Sequence, residues 1–167
     1  MFTVLVSTAA ALALTPPDVC PMLSRTEAAA ILGQPVTEVV PGKDESSSEK
    51  QAYCIYRSAG GELLTFVSEF SSAAEAKKQM TARLAAAQAE VAKQTAATPA
   101  AEKVSMSEEA GVGEKALWTG SGQGAMYAAL QGNRLIGAVL GGQGMKDPAS
   151  KKAALKGVVA STLAKLK

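Results

Sequence analysis

Two cysteines, Cys20 and Cys54, carry the most distinctive chemistry in this chain of 167 residues. In a protein exported to an oxidising compartment, such a pair is typical of a disulfide. The alternatives are a metal pair or a catalytic thiol. The wide spacing and the absence of histidine disfavour a metal site, and no base near Cys54 would lower the pKa of its thiol. We therefore predict a Cys20–Cys54 disulfide, conditional on export.

The sequence contains no histidine. The absence of histidine excludes Ser-His-Asp and Cys-His catalysis and the commonest general base, and it also excludes most kinds of zinc site. We expect no catalytic, metal-binding or cofactor-binding residues, and the leading hypothesis is a non-enzymatic binding or interaction domain. A histidine-free hydrolase with a Ser-Lys or carboxylate arrangement stays open as an alternative, because sequence alone does not bring those side chains together.

Three other motifs have a structural interpretation. Residues 120–124 are rich in glycine, but they lack the following helix and the lysine of a phosphate-binding loop, so they indicate a hairpin turn. Residues 141–144 indicate a loop, because the nearby helix cap Asp147 would repel an anion. The acidic pair Glu108-Glu109 is interpreted as part of a solvated turn.

Aromatic residues are scarce, at 4% of the chain. Tyr53, Tyr56 and Trp118 are the sizeable stacking groups. We expect them to be half-buried on a sheet. If the domain binds a small ligand, these three side chains are the predicted contacts.

The charge is nearly balanced, with 17 basic and 15 acidic residues and a formal net charge of +2. No basic stripe with interleaved aromatic residues is present, so nucleic-acid binding is not expected. Lys151, Lys152 and Lys156 are interpreted as the solvated face of the last helix. The remaining partner hypotheses are an envelope protein or a small ligand.

Residues 2–14 form an apolar run without a charged side chain. The run is shorter than the roughly 20 residues that span a bilayer, so no stable transmembrane anchor is predicted. With the small-x-small pattern at residues 11–13, it predicts a secretory signal-like segment over residues 1–13 and an extracytoplasmic protein, periplasmic or secreted. Because no Lys or Arg opens the run, a misplaced start site or a retained N-terminal element of a cytoplasmic partner-binding protein are alternatives.

Residues 14–167 are predicted to form a single α+β domain. Ser24 and Glu27 form a capping box for a short helix that ends at Gly33, and Pro41-Gly42 indicates a turn, followed by an exposed loop over residues 43–50. The predicted elements, in order, are strands at 36–40, 52–57 and 62–70, a helix from 72 to about 96, a link at 95–102, strands at 103–106, 114–119, 125–130 and 134–140, and a last helix from Asp147.

This order predicts an antiparallel sheet with two long helices packed on it and a short N-terminal helix in addition. The order of elements suggests one β-meander-plus-helix unit used twice. The strands at 125–130 and 134–140 are apolar on both faces, as strands covered on both sides are.

The pattern Cys20, Leu23-Ser24-x-x-Glu27-Ala28, Ile31-Leu32-Gly33-x-Pro35-Val36 and then Cys54-x-Tyr56 resembles that of small exported bacterial proteins, the lipoproteins of the DUF3558 kind. Residues 111–116 are similar to their Gly-x-Gly-Asp-x-Ala segment, with Glu in place of Asp. The resemblance implies an α+β fold similar to the PsbP/Mog1 group, and it brings no catalytic residues. The lipidation cysteine of these proteins has no counterpart here, since Pro17-Asp18-Val19 precedes Cys20.

Overall fold

The computed structural model describes residues 17–45, 49–97, 104–142 and 147–166. The predicted signal-like segment 1–13 therefore lies outside the described residues. Parts of the predicted loops at 43–50, 95–102 and 141–144 lie outside them as well. Within the described residues, no helix combines the length and the hydropathy that crossing a bilayer requires.

Seven strands and three helices make up the described part of the chain. In order they are α1 (Arg25–Leu32), β1 (Glu38–Glu45), β2 (Glu49–Ser58), β3 (Gly61–Phe70), α2 (Ala73–Ala97), β4 (Ser105–Glu109), β5 (Lys115–Ser121), β6 (Gly124–Gln131), β7 (Arg134–Gly141) and α3 (Lys152–Lys165), with 3-10 turns at Cys20–Met22 and Pro148–Lys151. All neighbouring strands are antiparallel, in the order β1-β2-β3-β7-β6-β5-β4. The predicted α+β class with an antiparallel sheet is confirmed.

Strand β3 pairs with β7, and this pairing joins the first three strands and the last four in one sheet. The first set of strands leads into α2 and the second set leads into α3. That these are two copies of one unit stays a prediction, since element order alone does not establish a repeat.

Capping residues in the sequence determine where α1 begins and ends and where α2 begins. The Ser24 hydroxyl accepts a hydrogen bond from the Glu27 amide at 3.2 Å, and the Glu27 carboxylate accepts one from the Ser24 amide at 2.8 Å. Gly33 ends α1 with φ of 72°, a left-handed conformation that glycine adopts without steric cost. Ser72 accepts a hydrogen bond from the Glu75 amide at the start of α2. The capping box at Ser24 and the helix end at Gly33 were predicted and are confirmed.

The predicted turn at Pro41-Gly42 is wrong, because both residues lie within β1. This strand is at the edge of the sheet, where a proline can face outward without removing a hydrogen bond from the ladder. The Tyr53 ring covers Gly42, where an added Cβ would overlap with Cζ of Tyr53. The predicted loop at 43–50 is wrong for residues 43–45 and 49–50, which extend β1 and β2.

The sheet has a hydrophobic core on each side. The α3 face carries α1, α3 and the segment 17–23, and the α2 face carries α2. Large side chains at the core of the α3 face are Tyr56, Leu63, Tyr127, Ile136, Leu155 and Val159. Those of the α2 face are Phe66, Phe70, Met80, Leu84, Leu130 and Leu135.

The three lysines near the C-terminus do not form a solvated helix face, and that prediction is wrong. Lys151 donates to the carbonyl of Ile31 at 2.9 Å, and Lys156 lies 3.4 Å from the carbonyl oxygen of Ala110. Lys152 pairs with a carboxylate on β4. All three are partly buried, because each contacts a neighbouring part of the chain: Lys151 contacts α1, Lys152 contacts β4, and Lys156 contacts the residue after β4.

The disulfide between Cys20 and Cys54 is present, with 5.0 Å between the two Cα atoms. It ties the first described segment to the middle of β2, where Cys54 is fully buried. The Tyr56 hydroxyl reinforces this tie, since it lies 2.6 Å from the carbonyl oxygen of Leu23 and 2.9 Å from that of Cys20. Burial raises the pKa of Tyr56 to about 12, so the hydroxyl stays protonated and can donate at neutral pH.

Replacing both cysteines by alanine will lower the free energy of unfolding by about 3–4 kcal/mol, because the unfolded chain regains the entropy of a loop closed across 34 residues. Urea unfolding followed by circular dichroism measures the loss. The wild type in reductant is the control and should lose a similar amount. Equal midpoints for the oxidised wild type and the variant would contradict this expectation.

Candidate functional site

The three aromatic residues predicted as ligand contacts do not come together. Tyr56 and Trp118 lie in the core of the α3 face, with 1% and 3% of their surface exposed. Tyr53 is partly buried on the α2 face. Tyr53 and Tyr56 are three residues apart on one strand, and side chains at odd spacing point to opposite faces of a sheet. The spacing of Tyr53 and Tyr56 in the sequence is therefore enough to predict that they lie on opposite faces of the sheet.

A polar cluster lies beside Trp118, between β4 and α3. The Lys152 ammonium is 2.6 Å from Oε1 of Glu109 and 5.9 Å from the centre of a Trp118 ring. The Ser107 hydroxyl donates to the same oxygen of Glu109 at 2.7 Å. The structure therefore brings together the serine, lysine and carboxylate that a histidine-free hydrolase would need.

The hydrogen bonds in this cluster do not favour catalysis. A Ser-Lys mechanism needs a neutral lysine that accepts the serine proton, whereas Lys152 donates to Glu109. The hydrogen bond from Lys152, with a second one from Ser107, holds the pKa of the Glu109 carboxyl below its ordinary value, so this carboxyl is ionised at neutral pH. The cluster acts as a link between the edge strand β4 and α3.

The predicted solvated turn at Glu108-Glu109 is wrong, because both residues belong to β4. They point to opposite faces, and Glu108 pairs with Lys115 at 3.0 Å. Within residues 120–124, the predicted hairpin turn joins β5 to β6 at residues 122–123. No group of three His, Cys, Asp or Glu side chains that could hold a metal occurs among the described residues.

A row of partly exposed apolar side chains crosses the α2 face from one edge of the sheet to the other. In the order of strand pairing, its members are Val40, Ile55, Leu64, Val139, Met126, Thr119 and Met106. Six are apolar, and all seven are partly exposed. We call this row the apolar strip.

On one side, the apolar strip borders the half of the sheet that α2 covers. The adjoining side chains Phe66, Leu117 and Ala128 are 8%, 6% and 5% exposed, in a cluster with Met80 and Leu84 of α2. One helix therefore buries this half of the face over the central strands β3, β7, β6 and β5, and it leaves the strip beside it partly open.

On the other side, the strip borders an ionic rim formed by Glu38, Arg57 and Glu62. Arg57 lies 2.9 Å from the Glu38 carboxylate and 3.7 Å from the Glu62 carboxylate. About half of each side chain is exposed, with 47% for Arg57 and 55% for both acids. A cleft of about 760 Å³ lies at this end of the sheet, lined by residues 57–62 and 141–142.

Among the predicted ligand contacts, only Tyr53 is near the strip. It lies two residues from Ile55 on the same face of β2, and it lines a second cleft of about 250 Å³ with Val19, Pro41 and Gly42. The strip itself was missed by sequence reasoning. Side chains alternate between the two faces along each strand, so the sequence indicates which residues share a face. Only the register between the seven strands shows that the members of the strip form one row.

No protein-family model matches the chain, and no curated protein matches it. Among solved structures, the fold is similar to the extracellular domain of PknH from Mycobacterium tuberculosis, with a TM-score of 0.48 and 12% sequence identity. The similarity covers 90% of this chain and 98% of that one. A likeness this distant says nothing about what the chain binds.

Replacing Glu109 with Gln will destabilise the protein at about pH 7 more than at about pH 3. The folded-state pKa of Glu109 is lowered from 4.5. Its contribution to stability is therefore complete above that ordinary value and is lost as the pH falls through the lower folded-state value. Urea unfolding of the variant and the wild type at both pH values measures the difference.

The matched control is Glu108→Gln on the opposite face of the same strand. Its side chain is 60% exposed, so its pairing with Lys115 should contribute little at either pH. A stability gap for Glu109→Gln that does not change with pH would contradict the assignment of an ionised pair.

Proposed function

We propose that this protein is an exported, non-enzymatic domain that binds an apolar ligand on the apolar strip. The strip is the observation that carries the proposal. Single surface leucines or valines are ordinary, but a contiguous apolar surface across an entire sheet is typical of a binding site. A binding role also needs no catalytic group, in keeping with a sequence that lacks histidine.

Support for export comes from the disulfide. Cysteine pairs are oxidised in extracellular and periplasmic compartments and stay reduced in most cytosolic proteins. The signal-like residues 1–13 and the resemblance to exported DUF3558-type lipoproteins favour the same location. A cytoplasmic partner-binding protein would be expected to keep both thiols reduced.

Support for a non-enzymatic role comes from the pairing of charges. Arg57 is bound by Glu38 and Glu62, and Lys152 is bound by Glu109. General acids, bases and nucleophiles need a proton or lone pair available to the substrate. In each of these groups, the charged atoms already contact an opposite charge.

Intact mass spectrometry of the protein from its native host tests export. We expect a mass that lacks roughly the first 13 residues, as the signal pattern predicts. We also expect the mass of the protein to increase by that of a pair of hydrogens when the disulfide is reduced. A full-length mass that reductant leaves unchanged would overturn the exported location and favour the cytoplasmic alternative.

Replacing Met126 with Glu will weaken the binding of an apolar ligand by about tenfold, because the new charge must be desolvated against the ligand. The probe is N-phenyl-1-naphthylamine, an uncharged dye whose fluorescence rises in apolar surroundings. Fluorescence titration of the wild type and the variant gives the two dissociation constants.

The control is Met22→Glu. Met22 is also partly buried, but it lies on the α3 side, where its carbonyl accepts a hydrogen bond from Lys165 at 2.7 Å. Both variants are first checked for native unfolding midpoints. If both weaken dye binding equally, or if the wild type binds no dye, the strip is not the binding surface.

A further inference from the structure

The shape of the apolar strip limits what it can bind. Seven strands set at about 4.8 Å make it about 29 Å long, while neighbours along each strand lie only about 7 Å away. On one side, the neighbours on the central strands are covered by α2, as Phe66 and Leu117 are. On the other side, the neighbours on β1, β2 and β3 are ionic, as Arg57 is, and those on β7, β6 and β5 are Gly141, Gly124 and Ser121. A long, narrow apolar surface fits an extended chain better than a broad ring system.

The strip offers little hydrogen bonding. Thr119 is the only one of its seven members whose side chain can donate or accept a conventional hydrogen bond. An extended peptide laid along the strip would bury backbone amides and carbonyls without partners, at a cost that an apolar side chain does not repay. A hydrocarbon chain has no such groups to satisfy.

The charges beside the strip disfavour an anion. Glu38 and Glu62 together carry two negative charges against the single positive charge of Arg57, and both contact it. At the β4 end, Glu108 is paired with Lys115. Among the described residues that flank the strip, each cation therefore has a carboxylate partner, and the rim beside the 760 Å³ cleft carries a net negative charge.

We propose that the ligand of the apolar strip is a single long aliphatic chain whose polar end carries no negative charge. The chain lies across the strands along the strip, and its uncharged or cationic end lies at the rim formed by Glu38, Arg57 and Glu62. This inference rests on the proposed function and adds the chemical class of the ligand. The aliphatic chain belongs to a molecule that is free in solution, and not to a lipid of a bilayer.

Competition for bound N-phenyl-1-naphthylamine tests the ligand class. The competitors are dodecanol and dodecanoate, which share one chain and differ in the charge of the end group, each below its micelle or solubility limit. At about pH 8.5 the carboxylate is fully ionised. We expect dodecanol to bind about tenfold more tightly than dodecanoate, because of repulsion by the rim.

The double variant Glu38→Gln/Glu62→Gln tests the origin of that preference. It removes both carboxylates and leaves the Arg57 charge free, so we expect dodecanoate to bind as tightly as dodecanol or more tightly. The control is Glu45→Gln, which removes an exposed carboxylate from the opposite face of β1. The preference for dodecanol should persist in this control.

The outcomes separate the two proposals. If the wild type binds the dye but dodecanol does not displace it, the aliphatic ligand is wrong and the apolar binding surface stands. If dodecanoate binds the wild type as tightly as dodecanol, the charge selection is wrong. If binding appears only with phospholipid vesicles, the free-ligand source is wrong. If the wild type binds no dye, both proposals fall.

Discussion

The core of the α3 face depends on a covalent tie between the first described segment and the middle of the sheet. Val19 and Leu23, at 1% and 7% exposed, complete this core, yet they belong to a segment with little regular structure of its own. A short segment of this kind loses much conformational entropy when it is ordered. The disulfide from Cys20, with the hydrogen bonds from Tyr56, holds it in place. Lys165 adds a further contact through the Met22 carbonyl.

The two faces of the sheet are covered unequally, and geometry explains why. A helix is about 10 Å wide, whereas a seven-stranded sheet is about 29 Å across. The α3 face is closed by two helices and the tied segment together. On the α2 face, the one described helix packs through Met80 and Leu84 over part of the strands. The strip is therefore partly open because the helices cover the two faces of the sheet unequally. Its location is determined by which part of the sheet α2 packs against.

The sequence predicts those features that depend on neighbouring residues. The capping box at Ser24 and the left-handed Gly33 depend on residues a few positions apart, and both were predicted. Pro41 was misread as a turn because only the finished sheet shows that β1 is an edge strand. The Lys152–Glu109 pair joins residues 43 positions apart, and the apolar strip requires the register of seven strands. Such long-range pairings leave no local pattern. The alternation of side chains along a strand is local, and it would have placed Tyr53 and Tyr56 on opposite faces.

The pairing of β3 with β7 determines when the sheet can be completed during synthesis. Its partners, such as Leu63 and Leu140, are far apart in the chain, and α2 and three strands lie between them. A chain that emerges from its N-terminus onward exposes both cysteines long before β7 exists. Oxidation can therefore take place on a three-stranded intermediate with an unpaired, apolar β3 edge. This nascent species is vulnerable to strand-to-strand association with other chains, and the arrival of the C-terminal half ends that vulnerability.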